Sequence, residues 1–316
     1  MSYEIKIYGR IGPGLRDLAK EETARTLESL AAMKSGDTPA AAHDARKRLK
    51  KLRALLALLR EPLGQKRYRA ENTVLLQAGR MFSAKRDAEA LLKTLKQLQR
   101  RFFPGKPSPL IHALQGALDT EERRCLAHLK RSNAIAACAA GLQDWQARIG
   151  GWPVTDYGWK ELRQAVRRSY KRARQSYQDA RDAPAPARLH RWRKRVKELW
   201  FHIRLLRRVC PALMVELAQD YEVLGEFLGD DHDLFVLKAA LEDRRTSLQN
   251  DAAVDALSKL IDLRREELLD AAFDLGERLH EDAPAVFVRE LQERRSVRRQ
   301  RRRKGRKLGS QLVATA

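Results

Sequence analysis

Two clusters of basic residues, each led by a histidine, have side chains and a spacing suited to binding a ligand. The first contains His43, Arg46, Lys47, Lys50 and Arg53, and the second contains His190, Arg193, Lys194, Lys197 and Arg204. This spacing places each cluster on one face of an α-helix, which has 3.6 residues per turn. Arginine and lysine both bind phosphate oxygens. Each cluster therefore predicts a helix face that binds a polyanion.

The helix that carries each cluster has an apolar face opposite the basic one. Leu49 and Leu52 lie opposite the first cluster, and Val196 and Leu199 lie opposite the second. A helix with two such faces packs its apolar side on a core and leaves the other side accessible. We therefore expect both clusters at the protein surface or in a polar cavity.

Like charges follow one another along both basic faces. Arg46 and Lys50 are four residues apart, as are Arg193 and Lys197, and such pairs destabilise a helix. A bound anion would neutralise this repulsion. The alternative is a basic face that is only solvated.

The two clusters belong to an internal repeat. Residues 43–60 and 190–207 are identical at nine of eighteen positions with an offset of 147 residues. Solenoid repeats are only 20 to 50 residues long, so the pattern indicates a duplicated helical unit. We expect its two halves to be related by a pseudo-twofold axis.

The composition favours a helical protein with an anionic partner. The chain has 316 residues, with 64 Lys or Arg against 41 Asp or Glu, and a formal net charge of +23. Gly and Pro are sparse and helix formers dominate, which predicts an all-α fold. No apolar run is long enough to span a membrane. Cys125, Cys138 and Cys210 lack zinc-site spacing and predict free thiols in the cytoplasm.

Breaks in the helical pattern suggest four segments. They are an extended N-terminal arm (1–14), a first helical half (15–148), a second helical half (154–293) and a basic tail (294–316) that we expect to be disordered. The halves meet at Gly150-Gly151-Trp152-Pro153. Among the expected helices are single ones over 109–147, 212–228 and 231–248.

The pattern around His43 and its echo around His190 resemble the CHAD (conserved histidine α-helical domain) family. Gly12-Pro13-Gly14-Leu15 and Val223-Leu224-Gly225 are also similar to members of that family. The resemblance implies two four-helix-bundle-like halves and a basic surface or pocket that binds inorganic polyphosphate. It implies that the residues of the first cluster contact the ligand and that His190, Arg193, Lys194 and Lys197 are their partners in the second half. The second cluster departs from the pattern at Glu198 and Trp200, where further cations are expected.

No motif supports catalysis. The chain lacks a P-loop and the signatures of hydrolases and metalloproteases, so we expect no enzymatic activity, no cofactor and no metal. The acidic run at 229–233 is expected to cap a helix rather than bind a metal. Arg86-Asp87 and His232-Asp233 are expected to tie helix ends to neighbouring cations.

The leading functional prediction is non-catalytic binding of polyphosphate, with location in the cytoplasm on polyphosphate granules. Binding should weaken with salt and strengthen from pH 8 to pH 6 as histidines gain protons. The alternative is a non-specific DNA- or RNA-binding protein that uses the basic tail. Aromatic residues make up only 6% of the chain, which gives little support to base stacking. The oligomeric state is left open.

Overall fold

The computed structural model describes residues 3–5, 10–35, 38–105, 108–131, 133–208 and 211–297. All regular secondary structure in these ranges is helical, which confirms the predicted all-α class. The helices are α1 (Ile11–Ser35), α2 (Thr38–Leu58), α3 (Arg60–Arg80), α4 (Ser83–Phe102), α5 (Pro109–Arg131), α6 (Ala134–Ile149), α7 (Trp159–Asp182), α8 (Pro186–Leu205), α9 (Pro211–Glu242), α10 (Arg245–Leu248), α11 (Asp251–His280) and α12 (284–297).

The helices α2 and α8, which carry the two basic clusters, bury their apolar faces as predicted. Leu49 and Leu52 of α2 and Val196 and Leu199 of α8 are almost fully buried. Each such side chain contributes about 2 kcal/mol to stability on burial. Helix α8 begins with Pro186 at its first position, where a missing N–H costs nothing. The apolar faces thus fix which side of each helix remains accessible.

Two predicted helix boundaries are wrong. The expected helix 212–228 and most of the expected helix 231–248 form one continuous helix, α9, because packing on α4, α8 and α11 outweighs the cost of Gly229 and the acidic run. The end of the second expected helix is the separate α10. Asp231 does not cap a helix; it is buried inside α9 and accepts a hydrogen bond from Arg265 at 2.8 Å. Conversely, the expected helix 109–147 is divided into α5 and α6.

The chain termini differ slightly from the predicted segments. Helix α1 begins at Ile11, four residues before the predicted first half. In the preceding arm, the Tyr3 hydroxyl donates to the Lys51 carbonyl oxygen and the Ile5 amide donates to the Leu205 carbonyl oxygen. Helix α12 takes in residues 294–297, and the rest of the predicted tail lies outside the described residues. Cys125 and Cys138 are free thiols, while Cys210 lies outside the described residues.

Each of the two hydrophobic cores draws on both predicted halves. The larger core joins residues of α1, α2, α3 and α6 to residues of α7, α8 and the first part of α9. The smaller core lies among four helices, α4 and α5 from the first half and α9 and α11 from the second. The predicted division at residues 149–153 stays a prediction about the repeat.

The helix bounds fit the predicted duplication. Adding 147 to the bounds of α1 gives 158–182, and α7 covers Trp159–Asp182. Adding 147 to those of α2 gives 185–205, and α8 covers Pro186–Leu205. Two close contacts join residues separated by nearly this offset: His202 Nε2 lies 2.8 Å from the Ala54 carbonyl oxygen, and Arg86 pairs with Asp233. Contacts of this kind are expected at an axis that relates two repeats.

Candidate anion-binding site

The helices α2 and α8 lie side by side, and this places the two basic faces in one site. The hydrogen bond between the His202 ring and the Ala54 carbonyl oxygen ties the C-terminal turns of the two helices together. On the accessible side, Lys50 of α2 lies within the electrostatic range of Arg193 and Lys197 of α8. Residues of both repeats therefore act on one small volume.

A third helix adds a cation to this volume. Arg86 of α4 acts on Arg46 and Lys50 of the first repeat and on Arg193 of the second. We name these five residues the central cluster: Arg46, Lys50, Arg86, Arg193 and Lys197. The cluster thus combines side chains from α2, α4 and α8.

Helix α9 forms the wall next to the two cations of α8. A Cβ atom added at Gly225 would lie only 2.9 Å from the Lys197 Nζ, and one added at Gly229 would lie 3.7 Å from the Arg193 Nε. The absence of side chains at these positions lets Lys197 and Arg193 lie directly against the α9 backbone. The two glycines are four residues apart and so share one face of α9.

Four of the five cluster cations have no acidic partner. In the part of the chain that the structure describes, no carboxylate oxygen lies within 4 Å of the charged groups of Arg46, Lys50, Arg193 or Lys197. By contrast, neighbouring Arg48 pairs with Asp44 at 2.7 Å and with Glu22 at 3.2 Å. The central cluster therefore keeps its charge available to an external anion.

Two buried nitrogen atoms in the site also lack a partner. The Arg193 Nε and the His190 Nδ1 are inaccessible to solvent and make no hydrogen bond. A buried polar atom without a partner costs about 1 to 3 kcal/mol. A ligand oxygen that reached these atoms would recover part of that free energy.

The pKa values in the cluster reflect its crowding. Lys50 is exposed, but loss of water around its ammonium, followed by the charges of Arg46, Arg86, Arg193 and Lys197, lowers its pKa to about 7. Burial is the main cause of the lowered pKa values of Arg46, Arg193 and Lys197. Neighbouring cations lower these values further, and acidic residues, chiefly of α9 and α4, act in the opposite direction. Lys50 is thus only partly protonated at neutral pH in the free protein.

A pair of histidines borders the cluster. The rings of His190 and His232 lie 4.6 Å apart between their centroids. Burial, then Arg193 and its neighbours, lowers the pKa of His232 to about 4. Burial and the charges of Lys194, Arg193 and Arg86 lower the pKa of His190. Both rings are therefore largely neutral at pH 7 and would gain protons most readily beside a bound anion.

The remaining predicted residues lie around or away from the cluster. His43 and Lys47 are exposed on α2, and exposed Lys194 acts on both histidines. Arg53 donates to the Asn72 side chain of α3, and Arg204 stacks on Trp200 with its guanidinium carbon 4.6 Å from the ring centroid. Arg53 thus faces α3, and Arg204 shares the Trp200 ring with Lys197.

The departures from the family pattern have structural partners. Glu198 accepts hydrogen bonds from Arg172 of α7 and from Arg195. The Trp200 indole donates to the Ala218 carbonyl oxygen, and its ring underlies both Lys197 and Arg204. The outer end of the second basic face is consequently neutralised or covered.

Sequence reasoning missed several contributors to the site. Arg86 and Asp233 were expected to tie helix ends, yet Asp233 lies within the continuous α9 and faces the cluster. The spacing of Gly225 and Gly229 was the available signal for close packing on α9. The approach of His232 to His190 depends on tertiary packing and leaves no local signal.

Two other kinds of site find no support. Within the described ranges, no three His, Cys, Asp or Glu side chains group as metal ligands would. None of the helices described is long and apolar enough to cross a membrane.

Comparisons with known proteins agree with the resemblance in the sequence. A family model described as CHAD domain matches residues 18–242, which is more than half of the chain. No curated protein matches the chain.

Proposed function

The chain belongs to the CHAD family, and on that premise we propose that it binds inorganic polyphosphate through the central cluster. CHAD domains in general are non-catalytic binding domains related to polyphosphate. The matched region contains all five cluster residues. The family thus supplies the ligand class, and the geometry suggests where that ligand binds.

One observation carries the proposal: Lys50 is surrounded by four cations from three helices, and four cluster members lack a carboxylate partner. Polyphosphate has about one negative charge per phosphate and no bases, so it needs charge and oxygen-directed donors only. Arginine offers a planar set of donors and lysine a point charge. Release of counter-ions on binding makes such complexes strong and sensitive to salt.

The proposed role is binding without chemistry. A protein that binds polyphosphate tightly would accumulate on polyphosphate granules in the cytoplasm. Localisation would then follow from affinity, and no separate targeting device is required.

A competition titration tests the proposal. Labelled long-chain polyphosphate is displaced by unlabelled polyphosphate, duplex DNA or RNA at equal phosphate concentration and near-physiological salt. A variant with Arg46, Lys50, Arg193 and Lys197 changed to Ala is compared with a control of equal charge change. The control carries Ala at exposed positions outside the cluster, namely Lys160, Arg167, Lys171 and Arg289.

We expect polyphosphate to compete better than nucleic acid by about tenfold, and only the cluster variant to lose binding. A shortened chain that lacks residues 298–316 should bind normally. Equal competition by DNA or RNA, with binding lost on shortening, would favour the alternative of nucleic-acid binding through the tail.

A further inference from the structure

One acidic residue lies among the cations of both repeats. The Asp233 Oδ1 of α9 is 3.6 Å from an Nη atom of Arg86, which belongs to the first repeat. Its charge also acts on Arg46 and on Arg193, against the effect of burial, which lowers the pKa values of both arginines. The Asp233 side chain is about one quarter exposed. Asp233 is thus a carboxylate of the protein within reach of the proposed ligand site.

The contact with Arg86 is an electrostatic attraction more than a hydrogen bond. N–H···O hydrogen bonds in proteins usually measure 2.7 to 3.2 Å, and this pair is longer. Asp87 is also near Arg86, at 3.4 Å, but its side chain is 55% exposed and therefore better screened by water. The Arg86 guanidinium can thus be attracted by Asp233 and still direct its donors to another anion.

Asp233 offsets part of the repulsion among the cluster cations. The cations of the central cluster lower one another's pKa values, and each therefore disfavours the charged form of its neighbours. Asp233 acts on cations of both repeats and reduces this repulsion in the free protein, whereas Glu89 and Asp87 act on Arg46 and Asp230 acts on Arg193 and Lys197. An arriving anion must then compete with a charge that is already present.

We propose that Asp233 is a resident counter-ion that holds the central cluster together in the free protein and competes with the ligand for it. This proposal rests on the proposed function, since the competing ligand is polyphosphate. A weakly charged anion competes poorly with the Asp233 carboxylate for the cluster cations. A chain of phosphates brings several charges to the same cations and can therefore outcompete one carboxylate.

The test compares Asp233→Asn with Asp243→Asn in the full chain. Asp243 is exposed just after α9, so both variants change the net charge equally. Two quantities are measured: the affinity for tripolyphosphate and for long-chain polyphosphate, and the melting temperature without ligand.

We expect D233N to bind long-chain polyphosphate about threefold to fivefold more tightly than wild type, the range for one partly exposed charge. The gain for tripolyphosphate should be no larger, because the repulsion by one carboxylate grows with the charge of the anion. Without ligand, D233N should melt roughly 2 °C below wild type. D243N should change neither quantity.

Weaker polyphosphate binding by D233N would overturn the proposal, because Asp233 would then be positioning Arg86 for the ligand. Behaviour equal to that of D243N in both measurements would also overturn it. If wild type does not bind polyphosphate at all, the proposed function fails, and the melting comparison still decides whether Asp233 stabilises the cluster.

Discussion

Lys50 is the residue on which the charges of both repeats converge. Desolvation of its ammonium and the charges of Arg46, Arg86, Arg193 and Lys197 give it a pKa of about 7, below the ordinary 10.5. A bound polyanion favours the charged form of a lysine. Binding should therefore be accompanied by proton uptake at this position.

We predict that affinity for polyphosphate falls as pH rises from 7 to 9, because Lys50 is neutral at the higher pH and must be protonated for binding. The Lys50→Met variant should show a flatter profile, whereas Lys171→Met, on the outer face of α7, should keep the wild-type slope. Titrations at fixed ionic strength measure the dependence. Equal slopes for wild type and K50M would contradict this role of Lys50.

The ligand-free protein should show the opposite trend. The pKa of Lys50 is lower in the fold than in the unfolded chain, so the unfolded chain binds more protons between pH 7 and about 10.5. Lys50 therefore makes the free protein more stable as pH rises through this range. Denaturant unfolding of wild type and K50M at pH 7 and pH 9 separates this contribution from those of other groups.

In each repeat an ion pair joins two neighbouring helices, but the acidic and the basic partner are exchanged between the helices. In the first repeat, Lys51 of α2 pairs with Glu22 of α1 at 3.0 Å. At the equivalent position of the second repeat, Glu198 of α8 pairs with Arg172 of α7. The inversion opposes the pairing of α1 with α8, since Glu22 and Glu198 would then repel.

We predict that Glu22→Gln destabilises the protein by about 3 kcal/mol, because its side chain is only 2% exposed and Lys51 would lose its partner in a buried site. Arg181→Gln, which breaks an exposed pair with Glu277, should cost less than about 0.5 kcal/mol. Chemical denaturation gives both values. Similar losses in the two variants would contradict the importance of the buried pair.

The glycine face of α9 allows a separation of binding from stability. In Gly225→Ala, the new Cβ would displace the Lys197 ammonium, so affinity for polyphosphate should fall. Stability should be kept, since alanine favours a helix by about 1 kcal/mol over glycine. Gly141→Ala in α6, where the Cβ meets nothing within 4 Å, is the matched control. Wild-type affinity in G225A would show that α9 does not position Lys197.

The sequence predicts those parts of the elements that depend on local periodicity. The basic and apolar faces of α2 and α8 follow from helical spacing alone, and the structure confirms the helices and their buried sides. The sequence does not predict that α9 is continuous. Gly229 and the acidic residues after it locally favour a helix end, and tertiary packing outweighs this preference. The contact between Arg86 and Asp233 cannot be predicted from the sequence, because it depends on how α4 packs against α9.

At the scale of the whole molecule, the two repeats share both cores and therefore form a rigid frame for the site. Cations from both repeats are held near one another although they repel. Core packing supplies the free energy that holds them there, because each buried apolar side chain contributes about 2 kcal/mol. The cations are consequently held near one another in the free protein.

We predict a strong salt dependence that comes mainly from the central cluster. For single-stranded polyanions, the logarithm of the binding constant falls by about 0.7 per released charge for each tenfold rise in salt. Removal of Arg46, Lys50, Arg193 and Lys197 should therefore reduce the slope by about 3. The slope is measured from titrations at several salt concentrations. An unchanged slope would assign the electrostatic contacts to other parts of the chain.

The central claim is that the two repeats form one joint site, and the binding stoichiometry tests it most directly. A short polyphosphate of defined length is titrated into the chain lacking residues 298–316, and into this chain with Arg46 and Lys50, or Arg193 and Lys197, changed to Ala. We predict one equivalent bound, with affinity lowered by about tenfold or more in either variant. Two equivalents in the parent chain, with one of unchanged affinity left in each variant, would contradict a joint site.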